Sequence, residues 1–148
     1  MAGVDNRTVN LAGMPVMKEY TSAVTLTVGM VVELNSSSQL ALSAVASPIY
    51  AGGEMVVTEA PERGKGVHSS GTVEHTYVAG EQVPTIAPYR GCEVLVLLTS
   101  GQVITPGELL EIAATGKAIS AAGTNLPAYR AKEALSPSQD ALIWAQRL

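Results

Sequence analysis

Phenylalanine is absent from this chain, and tryptophan and cysteine occur once each, as Trp144 and Cys92. A lone cysteine excludes an internal disulfide framework and a cysteine-rich zinc site. Without Phe, the apolar 47% of the sequence consists mostly of Ala, Val and Leu, so a core must be assembled from many small aliphatic contacts. Basic residues are few. Nine Lys and Arg are scattered against thirteen Asp and Glu, for a formal charge of −4, which provides no field for a polyanion; no nucleic-acid partner is expected. No run approaches the ~20 apolar residues of a membrane helix, and no membrane partner is expected. Met1 to Asn10 carries Asp5 and Arg7 and has no apolar stretch, so it does not read as a secretion signal. A chain of 148 residues is enough for a self-sufficient core.

What is present reads as short strands divided by Gly and Pro. Ala23 to Leu34 is rich in Thr, Val and Leu, with Gly29 as its only break; such β-branched residues suit a pleated surface. Gln39 to Val45 alternates, and Met55–Thr58, Thr72–Val78 and Glu81–Ile86 are further strand candidates. Glu93 to Thr99 is a continuous apolar run, the best candidate for a buried strand. Leu109–Ala113 and Lys117–Ser120 flank a turn at Thr115-Gly116, and Ala141–Gln146 ends the series. This pattern predicts an all-β barrel or sandwich. The one place for a helical turn or two is Ala128 to Leu135, closely bounded by Pro127 and Pro137.

The two halves resemble each other. Leu26-Thr27-Val28-Gly29-Met30-Val31-Val32-Glu33-Leu34 matches Ile104-Thr105-Pro106-Gly107-Glu108-Leu109-Leu110-Glu111-Ile112, and Pro48 to Glu54 matches Pro127 to Glu133 after one residue of slippage. The reading is a duplicated β-unit over 26–54 and 104–133, two copies being too few for a solenoid. Shared β-rich composition is the alternative.

Groups able to do chemistry are sparse. His68 and His75 lack a recognised ligand spacing, so solvated loop positions describe them better than a metal site. Cys92 precedes the most apolar strand and reads as a buried, inert thiol. Eleven Glu are spread singly rather than paired as a catalytic dyad would require, and Gly64-Lys65-Gly66 lacks the rest of a phosphate loop. No cofactor and no enzymatic activity are expected. The competing enzyme or ligand-binding reading would need a pocket lined by Tyr50, Tyr129, Glu54 and Glu133.

A resemblance enters with the order of these motifs. Gly29-Met-Val-Val-Glu-Leu followed by Gln39-Leu-Ala-Leu, and Val78-Ala-Gly-Glu-Gln-Val-Pro-Thr85, resemble the opening strands of bacteriophage head-decoration, or cement, proteins. The C-terminal half is more similar still, through Ile104-Thr-Pro-Gly-Glu-Leu-Leu110, Thr115-Gly-Lys-Ala-Ile119, Ala131-Lys-Glu-Ala134 and Ala141-Leu-Ile-Trp-Ala-Gln146. The resemblance covers about Val24 to Leu148. Glu108 stands where Asp is commoner, and 60–71 has no counterpart. It implies a compact β-barrel or β-tulip domain at 23–148, preceded by an N-terminal arm and lead-in at 1–22. It further implies placement on the outer capsid surface of a virion, made in the host cytoplasm, at three-fold or quasi-three-fold sites. The implied partners are the phage major capsid protein and the chain itself, as a homotrimer or a dimer.

Contact residues are inferred from position, not from a motif. They are Val4, Asn6, Arg7, Val9, Leu11 and Met14 in the arm, and Arg63, Lys65, Val67 and His68 in the loop. The alternative for both segments is a solvent-exposed stretch with no partner. Another β-rich virion component, a tail-tube, stopper or head-fibre base protein, is the second reading of the whole chain.

Overall fold

The computed structural model describes residues 10–12, 16–42, 55–59, 76–124 and 126–148. Among these residues thirteen strands account for the regular structure: β1 (Asn10–Ala12), β2 (Val16–Thr21), β3 (Leu26–Thr27), β4 (Val31–Leu34), β5 (Leu40–Leu42), β6 (Met55–Val57), β7 (Thr76–Tyr77), β8 (Gln82–Ala87), β9 (Glu93–Leu98), β10 (Leu109–Ile112), β11 (Ala118–Ser120), β12 (Tyr129–Ala131) and β13 (Ala141–Arg147). Among the described residues there is no helix. The protein is all-β, as its composition predicts.

In the C-terminal half five strands close into a barrel. β9 pairs along its whole length with β13, β13 with β12, β12 with β10, and β10 with β11. β11 returns to β9 through a parallel pairing of Ala118 with Leu98, which closes the ring. Closure leaves no sheet edge within the ring. β1 joins from outside, antiparallel to the start of β9.

The N-terminal half repeats this circuit. Its sheet runs β2-β8-β6-β4-β5, and an isolated parallel bridge from Ser22 to Leu40 brings the last strand back to the first. The registers agree residue by residue. Val32, Glu33 and Leu34 pair with Leu42, Ala41 and Leu40; Leu110, Glu111 and Ile112 pair with Ser120, Ile119 and Ala118. Backbone bonds outside the strands repeat as well. Gly29 N–H donates to Val57 O and Val57 N–H to Met30 O; Gly107 N–H donates to Ala131 O and Ala131 N–H to Glu108 O. Ala23 N–H to Leu40 O has its counterpart in Thr99 N–H to Ala118 O. Two pairs of left-handed residues also coincide, Gly29 (φ +89°) with Gly107 (+88°) and Ser38 (+58°) with Gly116 (+75°).

Strand pairing shifts one expected equivalence. Met55 and Val56 stand opposite Val32 and Val31 as Tyr129 and Arg130 stand opposite Leu110 and Leu109. The partner of Tyr129 is therefore Met55, whereas the sequence match set Tyr129 against Tyr50. Pro48 to Glu54 lie outside the described residues. Two other expectations change. Ala23 to Leu34 is not one strand, because the chain turns at Val28-Gly29 to separate β3 from β4. The helical turn expected in 128–135 is β12 and an antiparallel bridge from Leu135 to Ile104. Buried Tyr129 and Ala131 flank exposed Arg130, which is strand periodicity.

Each barrel has its own apolar interior. Leu26, Val28, Val32, Leu40, Met55, Val57, Tyr77 and Val83 fill the first, with the Tyr77 hydroxyl donating to Thr58 O at 2.9 Å. The second holds Cys92, Val94, Val96, Leu98, Ile104, Leu110, Ile112, Tyr129 and Ile143. Val31, Val56 and Ile86, on the opposite face of their strands, pack into this second cluster and join the two units.

Candidate contact surface

Of the ten contact residues inferred from sequence, Val4, Asn6, Arg7, Val9, Met14, Arg63, Lys65, Val67 and His68 lie outside the described residues. Leu11 belongs to β1, whose backbone is added to β9: Asn10 stands opposite Val94 and Ala12 opposite Glu93, with a register irregularity between them. The stretch read as arm and lead-in is thus strand at 10–12 and again at 16–21, where β2 pairs with β8 over six residues. Nothing in the sequence before Val16 announced β1. β2 was masked by Lys18 and Glu19, two exposed charges in the middle of Val16–Thr21.

Exposed apolar side chains stand on the connections and on β2. Val78 (52%) precedes the turn into β8, Tyr89 (52%) sits between β8 and β9, Val103 (71%) lies on the way to β10, and Met17 (45%) is on β2. Single exposed apolar residues are ordinary on a soluble surface.

The polar groups are engaged in structure. Asp140 accepts from Lys117 Nζ at 2.6 Å and from Ser100 N–H at 2.9 Å, tying the start of β13 to the turns after β9 and before β11. Glu108 accepts from the Ser120 hydroxyl and from Thr105 N–H, closing the turn that enters β10. Lys132 and Glu93 pair at 3.2 Å. Glu133 accepts Trp144 N–H at 2.9 Å. Tyr129 is wholly buried, with the Arg147 guanidinium 5.5 Å from its ring centroid and that arginine donating to Ala128 O. Tyr129 and Glu133, two of the four residues a ligand pocket was expected to use, are therefore committed to packing and to the backbone; Tyr50 and Glu54 are outside the described residues. Cys92 is buried in the core of the second barrel. Among the described residues no three His, Cys, Asp or Glu side chains are grouped to hold a metal ion.

The acid groups give a pH prediction. The Lys117 ammonium, helped by Ser100 N–H, holds the Asp140 carboxyl below its ordinary 3.8. The Ser120 hydroxyl and then Thr105 N–H lower Glu108. A carboxyl lowered on folding contributes stability above its unfolded-state value and loses it as pH falls through the folded-state value. D140N should cost less than about 1 kcal/mol at pH 7, the range of a solvent-reached pair. Urea midpoints of D140N and wild type should converge as the pH drops below about 4.

No protein-family model matches the chain, and no curated protein matches it. Among solved structures, the fold is similar to the head fiber gp8.5 N base of bacteriophage phi29, with a TM-score of 0.49 and 11% sequence identity over 91% of this chain and 98% of that one.

Proposed function

We propose that this chain is a structural protein of a phage virion that binds the outer surface of the expanded head. There it clamps neighbouring major capsid proteins at three-fold or quasi-three-fold sites. The observation that carries the reading is the ordered motif series from Ile104 to Gln146, whose members fall on the elements that build the second barrel. Ile104–Leu110 is the bridge and turn into β10, Thr115–Ile119 is the turn into β11, Ala131 ends β12, and Ala141–Gln146 is β13. The polar groups described above serve turns and strand ends, which suits a rigid body that acts by contact.

The energetics of clamping need no catalytic group. A subunit that binds only the expanded shell stabilises that state by mass action. Repetition over a symmetric lattice multiplies small contacts.

Co-sedimentation tests this directly. Purified protein mixed with expanded, undecorated heads should pellet saturably, at a stoichiometry matching the three-fold sites, and should raise the temperature at which the heads break. Removal of residues 1–14 should weaken the binding. Saturation at a few copies per head would point instead to a fibre base or a portal-proximal component. Absence of binding and of stabilisation across several matched heads would sink the capsid reading.

A further inference from the structure

We propose that the second barrel is a binding site for the first half of this chain, complete enough to hold residues 1–90 as a separate polypeptide once the connection at Tyr89–Gly91 is cut. The inference stands on strand pairing and burial at the junction, and is independent of the virion reading.

The site has two parts, a strand edge and a core. β13 covers one side of β9 from Glu93 to Leu98. A strand has a second side, and β11 reaches it at the last residue, Leu98. Upstream of that pair the first half takes over. β1 stands opposite Glu93 and Val94, and the Gly29 carbonyl accepts Leu97 N–H at 2.9 Å. Val31 N–H donates in turn to Gly116 O at 2.8 Å. Glycine lets both backbones come this close: a methyl on Gly29 would overlap Leu142 Cδ2, and one on Gly116 would lie 3.0 Å from Val31 O.

The core is shared in the same way. Val31, Val56 and Ile86 are at most 2% exposed and belong to one cluster with Val94, Leu110, Ile112 and Ile143. Leu97 and Leu142, paired on β9 and β13, are 2% and 8% exposed. At the corresponding positions the first barrel has Thr21 and Gln82, so the apolar pair belongs to the second barrel. A contact of this kind is a domain core cut in two, as in obligate complexes. Without the first half, the edge of β9 would be a template for aggregation.

The covalent connection adds little to this contact, because each of its ends is anchored within its own half. Ala87 pairs with Val16, while Gly91 N–H donates to Arg147 O and Arg147 N–H to Cys92 O. Tyr89 and Arg90 between them are exposed, and a methyl on Gly91 would meet nothing within 4 Å. Cutting there removes an effective concentration on the order of millimolar. The shared core and the β9 edge remain.

A recognition sequence for a site-specific protease, inserted between Arg90 and Gly91 of the full chain, tests the proposal; exposed loop tips tolerate such insertions. Far-UV circular dichroism and a thermal melt establish that the uncut variant is folded. After cleavage a denaturing gel should show two fragments, while sedimentation velocity at about 1 μM shows one species of wild-type mass. Separation into two smaller species overturns the proposal, and so does precipitation of the C-terminal fragment. A dilution series then locates the contact. In the cut chain Gly29→Ala should weaken association about tenfold or more. Gly107→Ala, whose methyl meets no neighbour, should leave it within about twofold. Equal affinities in the two variants would overturn the role given to the junction. If the insertion prevents folding, the same sequence between Tyr89 and Arg90 takes its place, with the same readings.

Discussion

Gly29→Ala should destabilise this protein far more than Gly107→Ala, although the two residues share one backbone conformation. Both have φ near +90°, a region that costs an L-residue about 1–2 kcal/mol. At Gly107 nothing lies within 4 Å of where a methyl would sit, so that cost is the whole effect. At Gly29 the methyl would overlap Leu142 Cδ2 and lie 2.9 Å from the backbone nitrogen of Leu97. Leucine can swing aside, but the Leu97 N–H is fixed by its hydrogen bond to Gly29 O. Overpacking of this kind adds about 1–3 kcal/mol, for a total of roughly 2–5 kcal/mol. At about 2–4 °C per kcal/mol for a chain of this size, G107A should melt about 2–8 °C below wild type and G29A about 4–20 °C below it. Equal losses in the two variants would mean that the junction yields and that Gly29 serves its turn alone.

Val56→Arg is the second large effect. It places in the first barrel the residue that the second carries at the same position, Arg130. Val56 is fully buried among residues of both halves, so a guanidinium there loses its hydration with no partner to replace it. A loss of roughly 4 kcal/mol or more is expected, at the upper end of single substitutions. Arg130 is exposed, and R130V should stay within about 0.5 kcal/mol of wild type. Urea denaturation followed by Trp144 fluorescence measures both. Because Trp144 lies in the second barrel, a V56R transition that splits into two steps would show that the barrels unfold separately once their junction is lost. A V56R midpoint close to that of wild type would contradict the burial of this face.

In the second barrel β9 and β10 were legible because each is a run of Val, Leu and Ile bounded by glycine-containing turns, and Gly101, Gly107 and Gly116 all take positive φ. The rest depends on pairing across long sequence separations. β2 carries Lys18 and Glu19 at its centre, and what makes it a strand is β8, more than sixty residues away. β12 is Ala-rich enough to suggest a helix, yet Tyr129 and Ala131 are needed in the core on alternate positions, and tertiary packing overrode local preference. The likeness of the two halves was visible from Leu26 to Leu34, where the turn and its glycine recur; beyond it, strand pairing sets Met55 at the position of Tyr129. The junction between barrels could not be read at all. Thr21 and Leu97, or Gln82 and Leu142, become comparable only once strand pairing says they are equivalent. The inferred contact residues were chosen by position alone, and only Leu11 falls on a described element.

The addition of β1 to β9 fixes an order of events during synthesis. Every strand of the first barrel, from Val16 to Ala87, precedes β9, so that unit can close while the remainder is still being made. β1 cannot pair then, because its partner Glu93–Val94 lies roughly eighty residues downstream. At about 5–20 residues per second, β1 waits several seconds for its neighbour to emerge. β1 is thus joined late, after every strand of the first barrel has been made.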